Sequence, residues 1–115
     1  MISRAVLNVA NLEVLRLTES RIEDEQLRIM ARALLRHPAL RVLDLRHNRL
    51  KDKSGRALGK LISTLKTLRE LDLEDNEIGL EGCGAIAHAL KKDQEMSHNI
   101  SKYRTWEIIW PGIYK

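Results

Sequence analysis

From Leu12 to Ile78 the chain writes one pattern of apolar and polar positions three times, each copy 28 residues after the last. Leu12-x-x-Leu15-x-Leu17-x-x-Ser20-x-Ile22 returns as Leu40-x-x-Leu43-x-Leu45-x-x-Asn48-x-Leu50, and again as Leu68-x-x-Leu71-x-Leu73-x-x-Asn76-x-Ile78. Within each copy the first half alternates apolar with polar, the period of a strand with one buried face. Leu15, Leu17, Leu43, Leu45, Leu71 and Leu73 are therefore expected to point inward. The second half changes period. Leu27, Met30, Ala31 and Leu34, then Gly55, Leu58, Gly59 and Ile62, then Cys83, Ile86, Ala87 and Leu90 all fall at i, i+3, i+4, i+7, one stripe of a helix. Their small third members, Ala31, Gly59 and Ala87, are expected to let helix and sheet approach closely.

Helix ends agree with these periods. Glu23, Asp24 and Glu25 sit where a helix N-terminus favours anions, and Arg36 and His37 where its C-terminus favours cations, before Pro38 stops it. Asp52 or Ser54 is expected to cap the second helix, and Lys91 and Lys92 to close the third. Each unit is strand, turn, helix, turn. Stacked units place the strands parallel and make the chain α/β, a solenoid of about three strand–helix repeats with its strands on the concave face.

The period, the L-x-x-L-x-L-x-x-N-x-L core and the full helix resemble the ribonuclease-inhibitor-like class of leucine-rich repeats over residues 1–93. The resemblance implies that Asn48 and Asn76 form a ladder, their side-chain amides bonding backbone groups of the surrounding turns. Ser20 replaces the first rung, so the ladder should weaken there. It also implies an intracellular scaffold, inhibitor or sensor. The run from His37 to Asn48 is similar to the leucine-rich-repeat subunit of the axonemal nexin–dynein regulatory complex, which implies a structural role in a cilium.

Both ends depart from the pattern. Met1–Leu7 aligns with Ile29–Leu35, so the chain is expected to start inside a helical half repeat, residues 1–11, ahead of full repeats at 12–39, 40–67 and 68–93. An open solenoid end exposes core, which suggests a piece of a larger protein or assembly. After Asp93 a fourth copy in register would need leucines at 96, 99 and 101, where Met96, Asn99 and Ser101 stand. The four aromatics Tyr103, Trp106, Trp110 and Tyr114 all lie in this tail, 94–115. A frame moved by seven, Tyr103-x-x-Trp106-x-Ile108-x-x-Pro111-x-Ile113, reads as a covering edge strand. An unrelated, disordered tail is the alternative.

Composition refines this picture. The 115 residues are 43% apolar and 31% charged, a globular balance for a single compact unit. No apolar run is long enough to span a membrane. A single cysteine, Cys83, excludes an internal disulfide and fits the reducing cytoplasm. The net charge of +4 is unevenly spread. Residues 39–67 hold eight Lys/Arg against two Asp/Glu, and residues 68–93 three against seven.

Candidate chemistry is sparse. Gly55-Arg56-Ala57-Leu58-Gly59-Lys60 is one residue short of a phosphate loop and lies inside a helix, with Leu61 where magnesium needs a hydroxyl. His37, His47, His88 and His98 have no zinc-site spacing, and Cys83 occupies an apolar helix position. The reading is therefore no enzyme, no metal, no cofactor and no small-molecule ligand.

The surface rows say more. Outward strand positions stack as Val14, Val42, Glu70; Arg16, Asp44, Asp72; and Thr18, Arg46, Glu74, with Glu19, His47 and Asp75 beyond. Arg16, Asp44, Arg46, His47, Glu70, Asp72, Glu74 and Asp75 are the expected partner-binding residues, an acidic concave face suited to a protein with a basic surface. Arg49, Lys51, Lys53, Arg56 and Lys60 make the helix side of the second repeat basic. That run lacks the aromatics of a nucleic-acid site, so nucleic acid ranks behind protein binding and axonemal scaffolding.

Overall fold

A computed structural model describes residues 9–95 and 104–112. The expected helical half repeat at Met1–Leu7 and the tail residues Tyr103, Ile113 and Tyr114 lie outside these. Three strand–helix units follow one another: β1 Val14–Arg16 and α1 Asp24–Leu34, β2 Val42–Asp44 and α2 Asp52–Thr64, β3 Glu70–Asp72 and α3 Leu80–Glu95. A fourth strand, β4, spans Glu107–Ile109. The strands form one parallel sheet in chain order, with Leu15, Leu43, Leu71 and Ile108 side by side.

The alternation works as the pattern requires. Leu15, Leu43, Leu45, Leu71 and Leu73 are buried against the helices, together with Leu40, Leu68, Leu50 and Ile78. Leu17, in the first unit, is only half-buried. Each fully buried leucine contributes roughly 1.5–3 kcal/mol, so the repeat's conserved spacing of apolar positions is its main source of stability.

Two of the three helical stripes are buried whole, Leu27, Met30, Ala31, Leu34 on α1 and Gly55, Leu58, Gly59, Ile62 on α2. The third differs. Ile86 is buried, but Cys83 and Leu90 are half-buried and Ala87 is exposed, while Gly82 and Ala89 are buried instead. The reason is stacking order. Gly55 and Gly59 of α2 are covered by α3, and no described helix covers the matching positions of α3.

The small residues also work differently from the expectation. Gly59, with Gly55, lies against the next helix, and α3 packs far more closely on α2 than α2 does on α1, while Ala87 is exposed. A Cβ on Gly55 would lie 2.4 Å from the Gly82 Cα, and one on Gly59 would lie 3.1 Å from the Ala85 carbonyl oxygen.

Hydrogen bonds between units follow the same 28-residue step. Asn48 Oδ1 accepts from Ser20 and Ile22 N–H, at 3.0 Å each, while its Nδ2 donates to the Leu17, Leu45 and Arg46 carbonyls. Asn76 repeats this with Leu50 N–H and the Leu45, Leu73 and Glu74 carbonyls. Ser20 reaches only the Thr18 carbonyl, at 3.4 Å, a weaker rung.

A second ladder uses aspartates. Asp24 Oδ1 accepts from Lys51 N–H and from the Ser54 hydroxyl, and Asp52 Oδ1 accepts from Gly79 and Gly82 N–H at 2.8 and 2.9 Å. Neither Asp52 nor Ser54 therefore caps its own helix. The N-cap of α2 is Lys51, and each aspartate serves the helix start of the next unit. On α1, the Gln26 side chain accepts from Glu23 N–H.

His37 is likewise not an exposed side chain at the helix end. It is buried, its Nδ1 accepting from Ala39 and Leu40 N–H while Nε2 donates to the Val9 carbonyl at 2.8 Å. The third helix runs past Lys92 to Glu95, so the lysines lie inside its last turns.

At the far end β4 lies two residues from the expected frame: Ile108, not Trp106, stands beside Leu71. A slip of two keeps the same faces inward, so Trp106 and Ile108 both pack against the core, half-buried. The segment is clasped in place. Buried Arg104 donates to the Ile62, Leu65 and Leu68 carbonyls at the end of α2, and to Asp93 at 2.6 Å. Its guanidinium lies 4.6 Å from the Trp106 ring centroid, and Trp106 Nε1 donates to the other Asp93 oxygen.

Two outcomes test this packing. Gly55→Ala forces a methyl against the α3 backbone and should cost about 2 kcal/mol or more, whereas Gly84→Ala fills open space and should gain about 1 kcal/mol. Opposite shifts of the thermal midpoint check the pair. Asp93→Ala leaves buried Arg104 without its carboxylate and should cost about 3 kcal/mol, read by urea unfolding.

Candidate partner-binding surface

The concave rows form as the repeat dictates. Val14, Val42, Glu70 and Glu107 align in one row, and Arg16, Asp44, Asp72 and Ile109 in the next. Beyond the strands, Glu19, His47 and Asp75 all adopt the left-handed backbone, with φ of 55°, 58° and 54°. Such a conformation costs about 1–2 kcal/mol in a residue with a Cβ. It is held here because Glu19 N–H donates to the Arg46 carbonyl and His47 N–H to the Glu74 carbonyl.

The expected site residues fall into two groups. Arg16, Asp44, Arg46 and Asp72 join in one network. Asp44 is 1% exposed and lies between two guanidiniums, Arg16 Nη1 at 3.1 Å and Arg46 Nε at 3.1 Å. Arg46 Nε also reaches Asp72 at 3.3 Å. Burial pushes the Asp44 carboxyl up, but hydrogen bonds from Arg46 and Arg16 outweigh it and hold the group below its ordinary value. Asp72 moves the other way, raised by burial and by the nearby Asp44 charge. Charge in this patch is balanced, so the face is less acidic than a count of its carboxylates implies.

The second group is open to solvent. Glu74 and Asp75 are exposed and Glu70 is half-exposed. His47 Nδ1 lies 2.8 Å from Asp75 Oδ2, and that hydrogen bond raises the imidazole above its ordinary value of 6.5. Glu107 and Ile109 complete the rows. The sequence reading missed both, although the inward pair Trp106 and Ile108 turns Glu107 and Ile109 outward in either frame; the true frame decides only which row each joins.

Depth is lacking. A depression lined by Arg16, Val42, Glu70, Asp72, Glu107 and Ile109 holds about 60 Å³, well short of the roughly 300 Å³ a small-molecule site needs. A larger groove of about 590 Å³ between the starts of α1 and α2 is open and mixed in sign, with Arg28, Lys51, Lys53 and Arg56 among Asp24, Glu25, Asp52 and Glu81. The basic run of the second repeat is thus interleaved with carboxylates, and Arg56 pairs with Glu81. Cys83 is half-buried, its thiol pushed up by burial and by Asp52. Among the described residues no cluster of three metal-ligating side chains occurs, and no helix is long and apolar enough to cross a membrane.

A family model described as leucine-rich repeat matches residues 37–59 and 64–87. Both segments are leucine-rich repeats. The matches thus cover most of the second and third units. A solved structure of the Leiomodin-1 Actin-Binding Site 2 is similar in fold, with a TM-score of 0.79 at 21% identity over 94% of this chain. The chain spans 59% of that structure's length. No curated protein matches the chain, so the likeness to the nexin–dynein subunit stays with its one run, His37–Asn48.

The His47–Asp75 pair yields a prediction. Because the folded-state value is raised, its contribution is present below about 6.5 and lost as pH rises through the higher folded value. Proton NMR of His47 should show a midpoint above that of a free histidine, and Asp75→Asn should bring it down. An unchanged midpoint would remove the pair.

Proposed function

We propose that this leucine-rich-repeat chain is a non-catalytic module that binds another protein through its concave face. The observation that carries this reading is the Arg16–Asp44–Arg46–Asp72 network. It fixes long, otherwise mobile side chains in one arrangement across three strands, so less conformational entropy is lost on docking. Asp44 is buried and acts by positioning the two arginines, while Arg16, Arg46, His47, Glu70, Glu74 and Asp75 are accessible to a partner. The exposed carboxylates gather on the third repeat, so the partner's matching surface is basic there and faces Arg16 and Arg46, on the first and second repeats, with acidic or polar groups.

Charge reversal tests the reading. Glu70→Lys, Glu74→Lys and Asp75→Lys together should reduce capture of partners from cell extract at least tenfold while leaving the thermal midpoint near that of the native chain. Capture unchanged by the triple variant would sink the concave-face assignment.

A second reading follows from the fold similarity. Actin is a specific protein to try first, because the Leiomodin-1 segment of like fold is named for binding it. Co-sedimentation with filamentous actin, lost in the same triple variant, would identify the partner class. Co-sedimentation at background level would leave the cytoskeletal reading without support.

A further inference from the structure

The last strand of the sheet has one side in use. Glu107 N–H donates to the Arg69 carbonyl and Leu73 N–H to the Ile109 carbonyl, so Glu107 and Ile109 turn their backbone groups toward β3. By the alternation of a parallel ladder, the N–H and C=O of Ile108 turn the other way, as those of Leu71 turn toward β4. Among the described residues no strand pairs with that side. Burial agrees with an open edge. Leu43 and Leu71 are 0% and 1% exposed, whereas Ile108, in line with them, is only half-buried and Ile109 is 51% exposed. The strand is nevertheless fixed in place, because Arg104 and Trp106 hold it to Asp93. An edge ordered in advance loses less entropy when a second strand joins it.

Charge selects what this edge can take. Glu107 stands directly opposite Glu70, and among the described residues neither is in an ion pair. Like charges on neighbouring strands repel. A second copy of β4 would bring its own Glu107 and Glu70 to the same edge and add to that repulsion, whereas a lysine or arginine would relieve it. We propose that the open edge of β4 receives an extended segment of a partner protein, with basic and apolar residues in alternation, as one more strand of the sheet. Its apolar residues continue the inward line of Leu15, Leu43, Leu71 and Ile108. Its basic residues join the row of Glu70 and Glu107 on the concave face, their aliphatic stems lying over Ile109. This assignment rests on the concave-face reading and names the segment that such a partner would present.

Titration of the full chain with a short synthetic peptide of alternating lysine and valine, followed by amide NMR, tests this. Binding should be weak, with a Kd of roughly 0.1–1 mM, and the shifts should centre on Trp106–Trp110. The Ile108 amide should exchange with solvent at least tenfold more slowly in the bound chain. The same peptide with its amide nitrogens methylated, and a peptide of alternating glutamate and valine, should each bind at least tenfold more weakly. Glu107→Lys, at an exposed position, should weaken the lysine–valine peptide as much with an unchanged circular-dichroism melt. No binding at about 1 mM overturns the proposal, as does binding that survives methylation or Glu107→Lys. Self-association through the β4 edge makes the occupant a second copy and overturns it too. Loss of capture in the Glu70, Glu74 and Asp75 reversal, beside an Ile108 amide that stays unprotected, removes the added strand and leaves the concave face. Peptide pairing at β4 with capture unchanged by that reversal removes the concave-face reading and leaves the strand.

Discussion

Everything in this fold depends on side chains that hydrogen-bond the backbone of the neighbouring repeat. A parallel three-residue strand leaves the turns on either side with N–H and C=O groups that the sheet does not pair. Burying such groups unpaired costs about 1–3 kcal/mol each. Asn48 and Asn76 meet this need at the sheet edge, each amide both accepting from one turn and donating to two. Asp24 and Asp52 meet it at the helix starts. His37 and Arg104 do the same at the helix ends, by different chemistry. Each of these side chains bonds at least one group outside its own unit, so neighbouring repeats hold one another in their shared spacing.

That spacing builds the exposed surface. With the strands locked in line, residues 28 apart must stack in rows, and the chemistry of the face is set by what each row contains. The arginine–aspartate network is one result. Asp44 lies buried between two guanidiniums because its row neighbours supply them, and charges that look acidic one by one are neutralised together. What stays exposed is a short acidic ridge on the third repeat, beside the edge strand that contributes Glu107 and Ile109.

The two sides of the third repeat end differently. Its strand is covered by β4, which Arg104 and Trp106 anchor to Asp93. Its helix keeps the small and apolar residues with which earlier helices receive a neighbour. The sheet thereby ends in a short, clasped strand, while the helical layer presents a face of the kind that elsewhere in this molecule lies against another helix.

The repeat period, the parallel α/β architecture, the inward leucines and the two asparagine rungs were legible in the sequence, because period 2 and period 3.6 report local geometry and a fixed spacing forces equivalent residues into equivalent places. The rows of the candidate surface were legible for the same reason. Burial and pairing across units were not. Asp44 reads as an exposed carboxylate until Arg16 and Arg46 are brought over it, and Asp52 reads as a cap for its own helix until Gly79 and Gly82 arrive. Ala87 looks buried until the absence of a covering helix among the described residues is seen. Trp106 and Ile108 alternate correctly in either of two frames, and only contact with Leu71 and Asp93 selects one. Local periodicity determined the elements; which groups meet across the repeats was decided by the tertiary structure, because such contacts depend on distances between units that no single unit encodes.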